Sequence, residues 1–246
     1  MKEKVKHIVL YLTPRFLSKW VVHKWKQQLG LNHGYYQLSF SQQAEDLHIA
    51  RFFNNKTAGF YIDVGAFHPV QLSNTYKFYC NGWHGINIEP NPDQFDTFEQ
   101  LRPRDMNLNI AIGEKGQTLM YHKFDMPALN SFSTEHVKDW AARPGFNLLE
   151  TVSIKTASLE DILDKHLPPN IDIDFMTVDV EGWDMVVLAS NNWIKYRPTL
   201  LLVEFSLDVS RPLEEMPLYK YLAQQEYSFW TISGGTIFFR DNKKDN

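Results

Sequence analysis

The chain has 246 residues, of which 43% are hydrophobic and 14% aromatic, a composition that excludes a disordered or low-complexity protein. Residues 1–30 carry seven Lys or Arg and one Glu, a net charge of +6, so residues 31–246 carry −10 of the total −4. Because phosphate contacts need a basic face on the folded domain, this acidic body argues against a nucleic-acid binder.

The single cysteine, Cys80, excludes an internal disulfide and a cysteine-rich zinc site, which is typical of a reducing compartment. The apolar run at residues 8–12 is too short to span a bilayer, and no small-residue cleavage site follows it. We therefore expect a cytoplasmic protein with one domain at residues 31–240, between a basic arm at 1–30 and a polar tail at 241–246.

The basic arm predicts an amphipathic helix. Between residues 5 and 25, apolar side chains recur at roughly helical spacing among lysines and histidines, although Pro14 interrupts the pattern. One interpretation is peripheral contact of residues 1–26 with an anionic membrane surface, where each basic residue contributes about 1 kcal/mol. The other is a helix that packs its aromatic stripe on the domain, and the pattern leaves both open.

Strand-like and helix-like segments alternate through the body of the chain. Short apolar runs predict parallel strands at 60–64, 85–89, 107–112, 174–180 and 199–205. Helical spacing and capping residues predict helices at 41–53, 73–81, 95–101, 157–166, 185–191 and 213–225. Strand-like runs at 118–121 and 152–155 bracket a loop-rich excursion, residues 123–144, and a closing antiparallel pair is predicted at 227–232 and 236–240. This alternation predicts an α/β fold, a Rossmann-like doubly wound sheet with helices on both faces.

Polar residues stand at the carboxyl ends of four predicted strands, which is where ligands bind in doubly wound sheets. They are Asp63 with Gly65, Glu89, the segment 109–111, and Asp179 with Glu181. Because the carboxyl ends of parallel strands meet at one edge of the sheet, we expect these residues to line one crevice.

The first of these loops disfavours a dinucleotide. A pyrophosphate site uses G-x-G-x-x-G, but after Gly65 the second and third glycine positions hold Phe67 and Val70. The acidic residue that binds ribose hydroxyls about 20 residues further on is nevertheless present, as Glu89. A nucleoside without pyrophosphate satisfies both observations, and S-adenosylmethionine is such a ligand.

Each polar part of S-adenosylmethionine has a predicted partner at this edge. The ribose would bond to Glu89, and the carboxylate to backbone N–H groups near Ser73 and Asn74 at a helix N-terminus. The amine and the sulfonium would lie near Asp63 or Asp179. The predicted cofactor-binding residues are Asp63, Gly65, Ser73, Asn74, Glu89, Ala111 and Asp179.

Five strings of residues occur in a fixed order within residues 41–240. They are IDVGA from residue 62, SNT from 73, GWHGINIEPNP from 82, NIAIG from 109, and DF at 174 with VDVEG from 178. On these strings the chain resembles the FkbM family of S-adenosylmethionine-dependent methyltransferases. The resemblance implies a seven-strand methyltransferase sheet and O-methylation of a hydroxyl on a carbohydrate, glycolipid or secondary-metabolite acceptor, as in polysaccharide biosynthesis.

Methyl transfer to a hydroxyl needs the two reactants held in line and a base that takes the proton. The candidate catalytic residues are Asp179, Glu181 and His68, and the two acids share one side if their strand continues through both. No H-E-x-x-H or other ligand-spaced cluster occurs, so no metal is predicted. The excursion is expected to contact the small-molecule or glycan acceptor, with Phe132 and Trp140 either stacking on a sugar ring or pinning the loop.

Two other functions stay open at this level. A nicotinamide-dependent oxidoreductase would use the same class of fold, although the missing glycines at positions 67 and 70 disfavour it. A non-catalytic, membrane-associated adaptor would keep the arm and a methyltransferase-like body, although the retained acids argue against it.

Overall fold

A computed structural model of the chain describes Lys24, residues 37–205 and residues 212–244. Its contacts divide the chain into two units, residues 1–38 and 39–246, and the elements below all belong to the second unit. The predicted basic arm, and with it the membrane contact of residues 1–26, lies outside the described residues except at Lys24. Within the described ranges, no helix combines the length and the apolar character needed to cross a bilayer.

Ten strands and seven α-helices form the described part of the second unit. The strands are β1 (Phe60–Val64), β2 (His84–Ile88), β3 (Met106–Leu108), β4 (Ala111–Ile112), β5 (Thr118–Phe124), β6 (Leu148–Ala157), β7 (Phe175–Val178), β8 (Leu200–Glu204), β9 (Tyr227–Ser233) and β10 (Thr236–Asp241). The helices are α1 (Glu45–Phe52), α2 (Tyr76–Cys80), α3 (Pro92–Leu101), α4 (Thr134–Ala141), α5 (Leu159–His166), α6 (Asp184–Ala189) and α7 (Pro217–Gln224).

Seven strands make the main sheet, in the order β3-β2-β1-β7-β8-β10-β9. The five strands from β3 to β8 are parallel to their neighbours, whereas β10 runs antiparallel to both β8 and β9. The order reverses between β1 and β7, and at such a switch point the connections leave a crevice beyond the carboxyl ends of the strands. The predicted seven-strand sheet with a closing antiparallel pair is therefore confirmed.

Every residue of β1 and β7 is buried. Because successive side chains of a strand point to opposite faces, both faces of these central strands are covered. Ile62 and Val64 lie in a cluster with apolar residues of α5, α6 and α7. Tyr61 and Phe175 lie in a second cluster that includes Ile49 of α1 and Phe78 of α2. Helices therefore cover the sheet on both sides, as predicted, and hold the strand ends in fixed positions.

Local capping explains where several helices begin. Ser158 accepts the N–H of Asp161 at the start of α5, and Asn91 accepts the N–H of Asp93 at the start of α3. The predicted helix at 73–81 is shorter in the structure, because Ser73 Oγ accepts the N–H groups of Thr75 and Tyr76 ahead of the first turn of α2.

The prediction of one continuous strand at 107–112 is wrong. Strand β3 ends at Leu108, and Asn109 then uses its side-chain Nδ2 to donate to the carbonyl of Glu89 at 2.9 Å. The chain leaves the main sheet there, and β4 pairs with β6 in a separate three-stranded sheet of order β4-β6-β5. Ala111, a predicted cofactor residue, therefore lies in the smaller sheet.

The excursion, residues 123–144, contains a 3₁₀ turn (Pro127–Leu129) and α4, between the antiparallel strands β5 and β6. Phe124, Leu129 and Val137 form a small buried cluster, against which Trp140 packs. The excursion therefore has its own small apolar core.

Candidate functional site

An open cavity of about 850 Å³, including its mouth, lies at the carboxyl ends of β1, β2 and β7. The cavity brings together most of the predicted site residues, namely Asp63, Gly65, Ser73, Asn74, Glu89, Asp179 and Glu181. His68 and Ala111 are not among the described residues that line it.

Gly65 lies in the turn after β1, where the chain passes close to Asp179 at the end of β7. Its φ of +79° is strained for any residue with a side chain, and a Cβ there would lie 1.8 Å from the carbonyl oxygen of Asp179. The N–H of Gly65 also donates to the Ile88 carbonyl at 3.0 Å. Only glycine allows the turn after β1 to pass this close to the end of β7.

Glu89 is held by backbone donors at both oxygens. Its Oε1 accepts the N–H of Asn91 at 2.7 Å, and its Oε2 accepts the N–H of Phe67 at 2.9 Å. Burial raises the pKa of Glu89 to about 7, and the two backbone donors oppose that rise. Since each oxygen of a carboxylate accepts two hydrogen bonds, both retain capacity for hydroxyl groups in the cavity.

Asp63 is the corresponding acid at the end of β1. Its Oδ2 accepts the hydroxyl of Thr75 at 2.7 Å, so the carboxylate is held in one orientation at the wall of the cavity. Burial raises the pKa of Asp63 to about 6, while the Thr75 hydroxyl and the charge of Arg102 oppose the rise.

Near Ser73, the sequence predicts a helix N-terminus with free N–H groups for the carboxylate of the cofactor, and the structure differs. The N–H of Ser73 donates to the Phe40 carbonyl, and Ser73 Oγ takes the N–H groups of Thr75 and Tyr76. These three donors already have acceptors. Asn74 lines the cavity and donates from Nδ2 to the Thr177 hydroxyl at 3.0 Å.

His68 stabilises its own loop. Its Nδ1 accepts the N–H groups of Val70 and Gln71, at 3.1 Å and 3.0 Å, and partial burial lowers its pKa. One ring nitrogen is therefore committed to the turn between β1 and α2.

Asp179, Glu181 and Glu204 form a carboxylate cluster on the far side of Gly65. One oxygen from each lies within 4.8 Å of the others, and all three side chains are partly exposed. The strand does not continue through Asp179 as predicted: β7 ends at Val178 and Glu181 has a φ of +51°. A turn, rather than the pleat of a strand, brings the two acids together.

Glu204 was missed by reasoning from the sequence. It ends β8, and the pairing of Val178 with Val203 places the next residue of each strand, Asp179 and Glu204, side by side. The sequence did contain a signal for Glu204, because it is an acid near the carboxyl end of the fifth predicted strand, residues 199–205.

Burial and like charge raise the pKa values across this cluster. Burial, with the charge of Asp179, raises the pKa of Glu181 to about 8. Burial, with Glu181 and Asp184, raises that of Glu204 to about 8, and burial with Glu204 raises that of Asp179 well above its usual value. The cluster therefore holds protons near neutral pH, and it attracts cations.

The excursion supplies the opposite wall. Phe132 and Tyr121 line the cavity with their ring centroids 4.7 Å apart. Ser131 Oγ donates to the backbone carbonyl of Glu181 at 2.6 Å, and His136 Nε2 lies 3.3 Å from Glu181 Oε2. Trp140 packs on Phe146, outside the cavity lining, so of the two predicted stacking rings only Phe132 faces the site.

The carboxylates of the cavity fit the ribose and the cationic groups of S-adenosylmethionine. Its ribose hydroxyls need acceptors, and its ammonium and sulfonium cations favour carboxylates. The described residues that line the cavity supply Asp63, Glu89, Asp179 and Glu181, and none of them is Lys, Arg or His. A pyrophosphate would face four carboxylates here and no cationic side chain among the described lining residues.

Comparison with known proteins agrees with this geometry. Residues 63–227, more than half of the chain, match the model of the Methyltransferase FkbM domain. No curated protein matches the chain. Among solved structures, the chain is similar to a TehB-like SAM-dependent methyltransferase from Corynebacterium glutamicum, with 8% identity, a TM-score of 0.41, and coverage of 93% of this chain and 100% of that one. Because the family model matches more than half of its length, the chain belongs to the FkbM family of S-adenosylmethionine-dependent methyltransferases.

Proposed function

We propose that this methyltransferase acts on a hydroxyl group of an uncharged carbohydrate, glycolipid or secondary-metabolite acceptor. The observation that carries the proposal is the carboxylate cluster at one end of the cavity, beside the uncharged wall that the excursion supplies. A hydroxyl must lose its proton during transfer, and a carboxylate with a raised pKa is a base suited to near-neutral pH.

In this proposal Glu89 and Asp63 bind the cofactor. Glu89 accepts the ribose hydroxyls on the oxygens that Asn91 and Phe67 already orient, and Asp63 with Asp179 faces its cationic groups. When bound, S-adenosylmethionine supplies a methyl group that the sulfonium has already activated. The main task of the chain is then to hold the acceptor oxygen in line with that methyl group, an effect worth up to about 7–11 kcal/mol.

Glu181 is the proposed general base. Its carboxylate would take the hydroxyl proton as the methyl carbon passes from the sulfur, which would keep the bonding pair and leave as a neutral thioether, to the acceptor oxygen; such a base adds about 10²–10⁴-fold to the rate. Burial and the proximity of Asp179 raise the pKa of Glu181, which makes its carboxylate a stronger base. His68 is a weaker candidate, because two backbone N–H groups occupy its Nδ1.

The lining also bears on the acceptor. Phosphorylated or carboxylated acceptors would face four carboxylates and no cationic side chain among the described lining residues. Phe132, Asn130 and Gln94 offer an aromatic face and amide groups instead. An aromatic ring with nearby amides suits a neutral sugar ring and its hydroxyls.

A binding experiment tests the cofactor residues. Titration calorimetry of S-adenosylmethionine should give saturable binding to the wild type and a loss of about 100-fold or more in Asp63→Asn and Glu89→Gln. Asp161→Asn is the matched control, because Asp161 pairs with Lys115 on the surface. Wild-type affinity in both site variants would contradict the assignment.

A labelling experiment tests the acceptor. The protein is incubated with methyl-labelled S-adenosylmethionine and a fractionated cell extract, and label is followed into each fraction. We expect label in neutral glycans or glycolipids, as a methyl ether that is stable to mild acid. Label confined to phosphorylated or protein fractions would contradict it.

Membrane contact of residues 1–26 remains a proposal from the sequence alone. Liposome flotation of the full chain should exceed that of a chain starting at Leu31 if the basic arm contacts anionic lipid. Equal flotation would overturn the proposal and favour packing of the arm on the domain.

A further inference from the structure

Arg102, just after α3, is fully buried beneath the cavity without lining it. Its Nε donates to Asp105 Oδ2 at 2.8 Å, and its Nη1 donates to the carbonyl of Pro69 at 3.0 Å. Its Nη2 lies 2.7 Å from the Tyr61 hydroxyl and 3.1 Å from Thr75 Oγ1. Asp105 balances its charge, so the guanidinium is a paired and highly bonded group.

One of these contacts leads to Asp63. Arg102 has donors only, so it can approach Thr75 Oγ1 only at a lone pair of the hydroxyl. The hydroxyl has a single hydrogen, which is directed to Asp63 Oδ2 at 2.7 Å. Arg102 thereby fixes which way the Thr75 hydroxyl points.

A second contact leads to Glu89. The Pro69 carbonyl that Arg102 holds belongs to the loop after β1, in which Phe67 has a left-handed φ of +52°. The N–H of Phe67 donates to Glu89 Oε2 at 2.9 Å. Anchoring Pro69 therefore keeps this strained loop in the conformation that orients the second acid.

We propose that Arg102 is a positioning residue, which orients Asp63 through the Thr75 hydroxyl and Glu89 through the loop at 67–69. It thereby sets the affinity for S-adenosylmethionine and the pH dependence of that affinity without touching the cofactor. The inference rests on the proposed cofactor roles of Asp63 and Glu89.

The electrostatic surroundings of Asp63 set the sign of the pH effect. Thr75 and Arg102 favour its ionised form, while burial and the negative charge of Asp105 oppose it. Glu89 and Asp179 face the same carboxylate from the ends of β2 and β7. Loss of the Thr75 hydroxyl removes a hydrogen bond to the charged form, so the pKa of Asp63 rises further.

The test uses Thr75→Val, which removes the hydroxyl at nearly constant volume and leaves Arg102 in place. Calorimetric titration of S-adenosylmethionine from pH 5.5 to 9 should show affinity about tenfold weaker at pH 7. The pH midpoint of binding should rise by about one unit. Arg102→Lys, which keeps the charge but loses the fork of donors, should shift the midpoint in the same direction and raise KM for the cofactor more than it lowers kcat.

Thr156→Val is the matched control. Thr156 is a buried threonine of the small sheet whose hydroxyl donates to the Glu114 carbonyl, so its loss lowers thermal stability without moving the pH midpoint. A wild-type midpoint in both Thr75→Val and Arg102→Lys would overturn the inference. Unchanged binding in Asp63→Asn would instead overturn the proposed cofactor site, so the two failures are distinguishable.

Discussion

The two ends of the cavity use the same residue types in opposite ways. Asp63 and Glu89 accept hydrogen bonds from Thr75, Phe67 and Asn91, which hold each carboxylate in one orientation. The members of the carboxylate cluster mainly face one another. Hydrogen-bond donors around a carboxylate favour its ionised form, so it acts as an acceptor of fixed orientation. Like charges around a carboxylate raise its pKa, so it binds a proton near neutral pH. In the proposed function, carboxylates at neighbouring strand ends therefore bind the cofactor at one end of the cavity and accept a proton at the other.

The pKa values express this difference. Burial raises all of them, but donors limit the rise to about 6 for Asp63 and about 7 for Glu89. In the carboxylate cluster, burial and repulsion together raise those of Glu181 and Glu204 to about 8.

The largest effect on stability is expected at Gly65, where the turn after β1 passes close to Asp179. Gly65→Ala places a Cβ 1.8 Å from the Asp179 carbonyl in a residue with φ +79°, so backbone must move. We expect a loss of about 4 kcal/mol or more in the free energy of unfolding, measured by urea denaturation, or failure to fold. Gly116→Ala is the control, because Gly116 has a φ of +72° with nothing within 4 Å and should lose only about 1 kcal/mol. Equal losses in the two variants would show that the close approach is unimportant.

Glu181→Gln and Glu89→Gln should separate chemistry from binding. Glu181→Gln removes the proposed base, so kcat should fall about 10²–10⁴-fold while S-adenosylmethionine affinity stays within a few-fold of wild type. Glu89→Gln should weaken affinity far more than it lowers kcat at saturating cofactor. Steady-state kinetics with calorimetry measures both, and affinity lost in Glu181→Gln with kcat retained would reverse the assignment.

The two halves should also titrate at different pH. Affinity for the cofactor should weaken as pH falls through about 7 to 6, because protonated Glu89 and Asp63 lose their negative charge. Turnover at saturating cofactor should continue to rise up to about pH 8, where Glu181 becomes ionised. A single shared midpoint for binding and turnover, unchanged in Glu181→Gln, would contradict separate roles for the two groups of acids.

The smallest effect is a gain of stability. Because the pKa of Glu204 rises to about 8 on folding, the folded protein binds more protons than the unfolded one, and stability falls as pH rises from about 5 to 8. Glu204→Gln removes that loss and should raise stability at pH 8 by about 1–2 kcal/mol, or about 2–4 °C in Tm for each kcal/mol. The gain should shrink near pH 5, and exposed Glu150→Gln should show none. Destabilisation of Glu204→Gln at pH 8 would contradict the prediction.

Much of this site could be expected from the sequence. The acids at 63 and 89 follow buried apolar runs, and neighbouring parallel strands bring such ends to one edge, as the pairing of Val64 with Ile88 does. Glu204 and the break after Leu108 were missed, because an acid at a strand end and a polar residue within an apolar run do not reveal their partners. His136 reaches Glu181 only because the excursion folds back over the sheet.

Local patterns were sufficient for the parallel strands and most helices of the main sheet and for the acids at 63, 89, 179 and 181, because hydrophobic spacing and capping depend on near neighbours along the chain. Tertiary structure alone decided which acid meets a donor and which meets another acid. The contacts of Thr75 with Asp63 and of Arg102 with Pro69 join residues 12 and 33 positions apart. Such pairings arise from packing of whole elements, and burial there gives each carboxylate the surroundings that set its protonation.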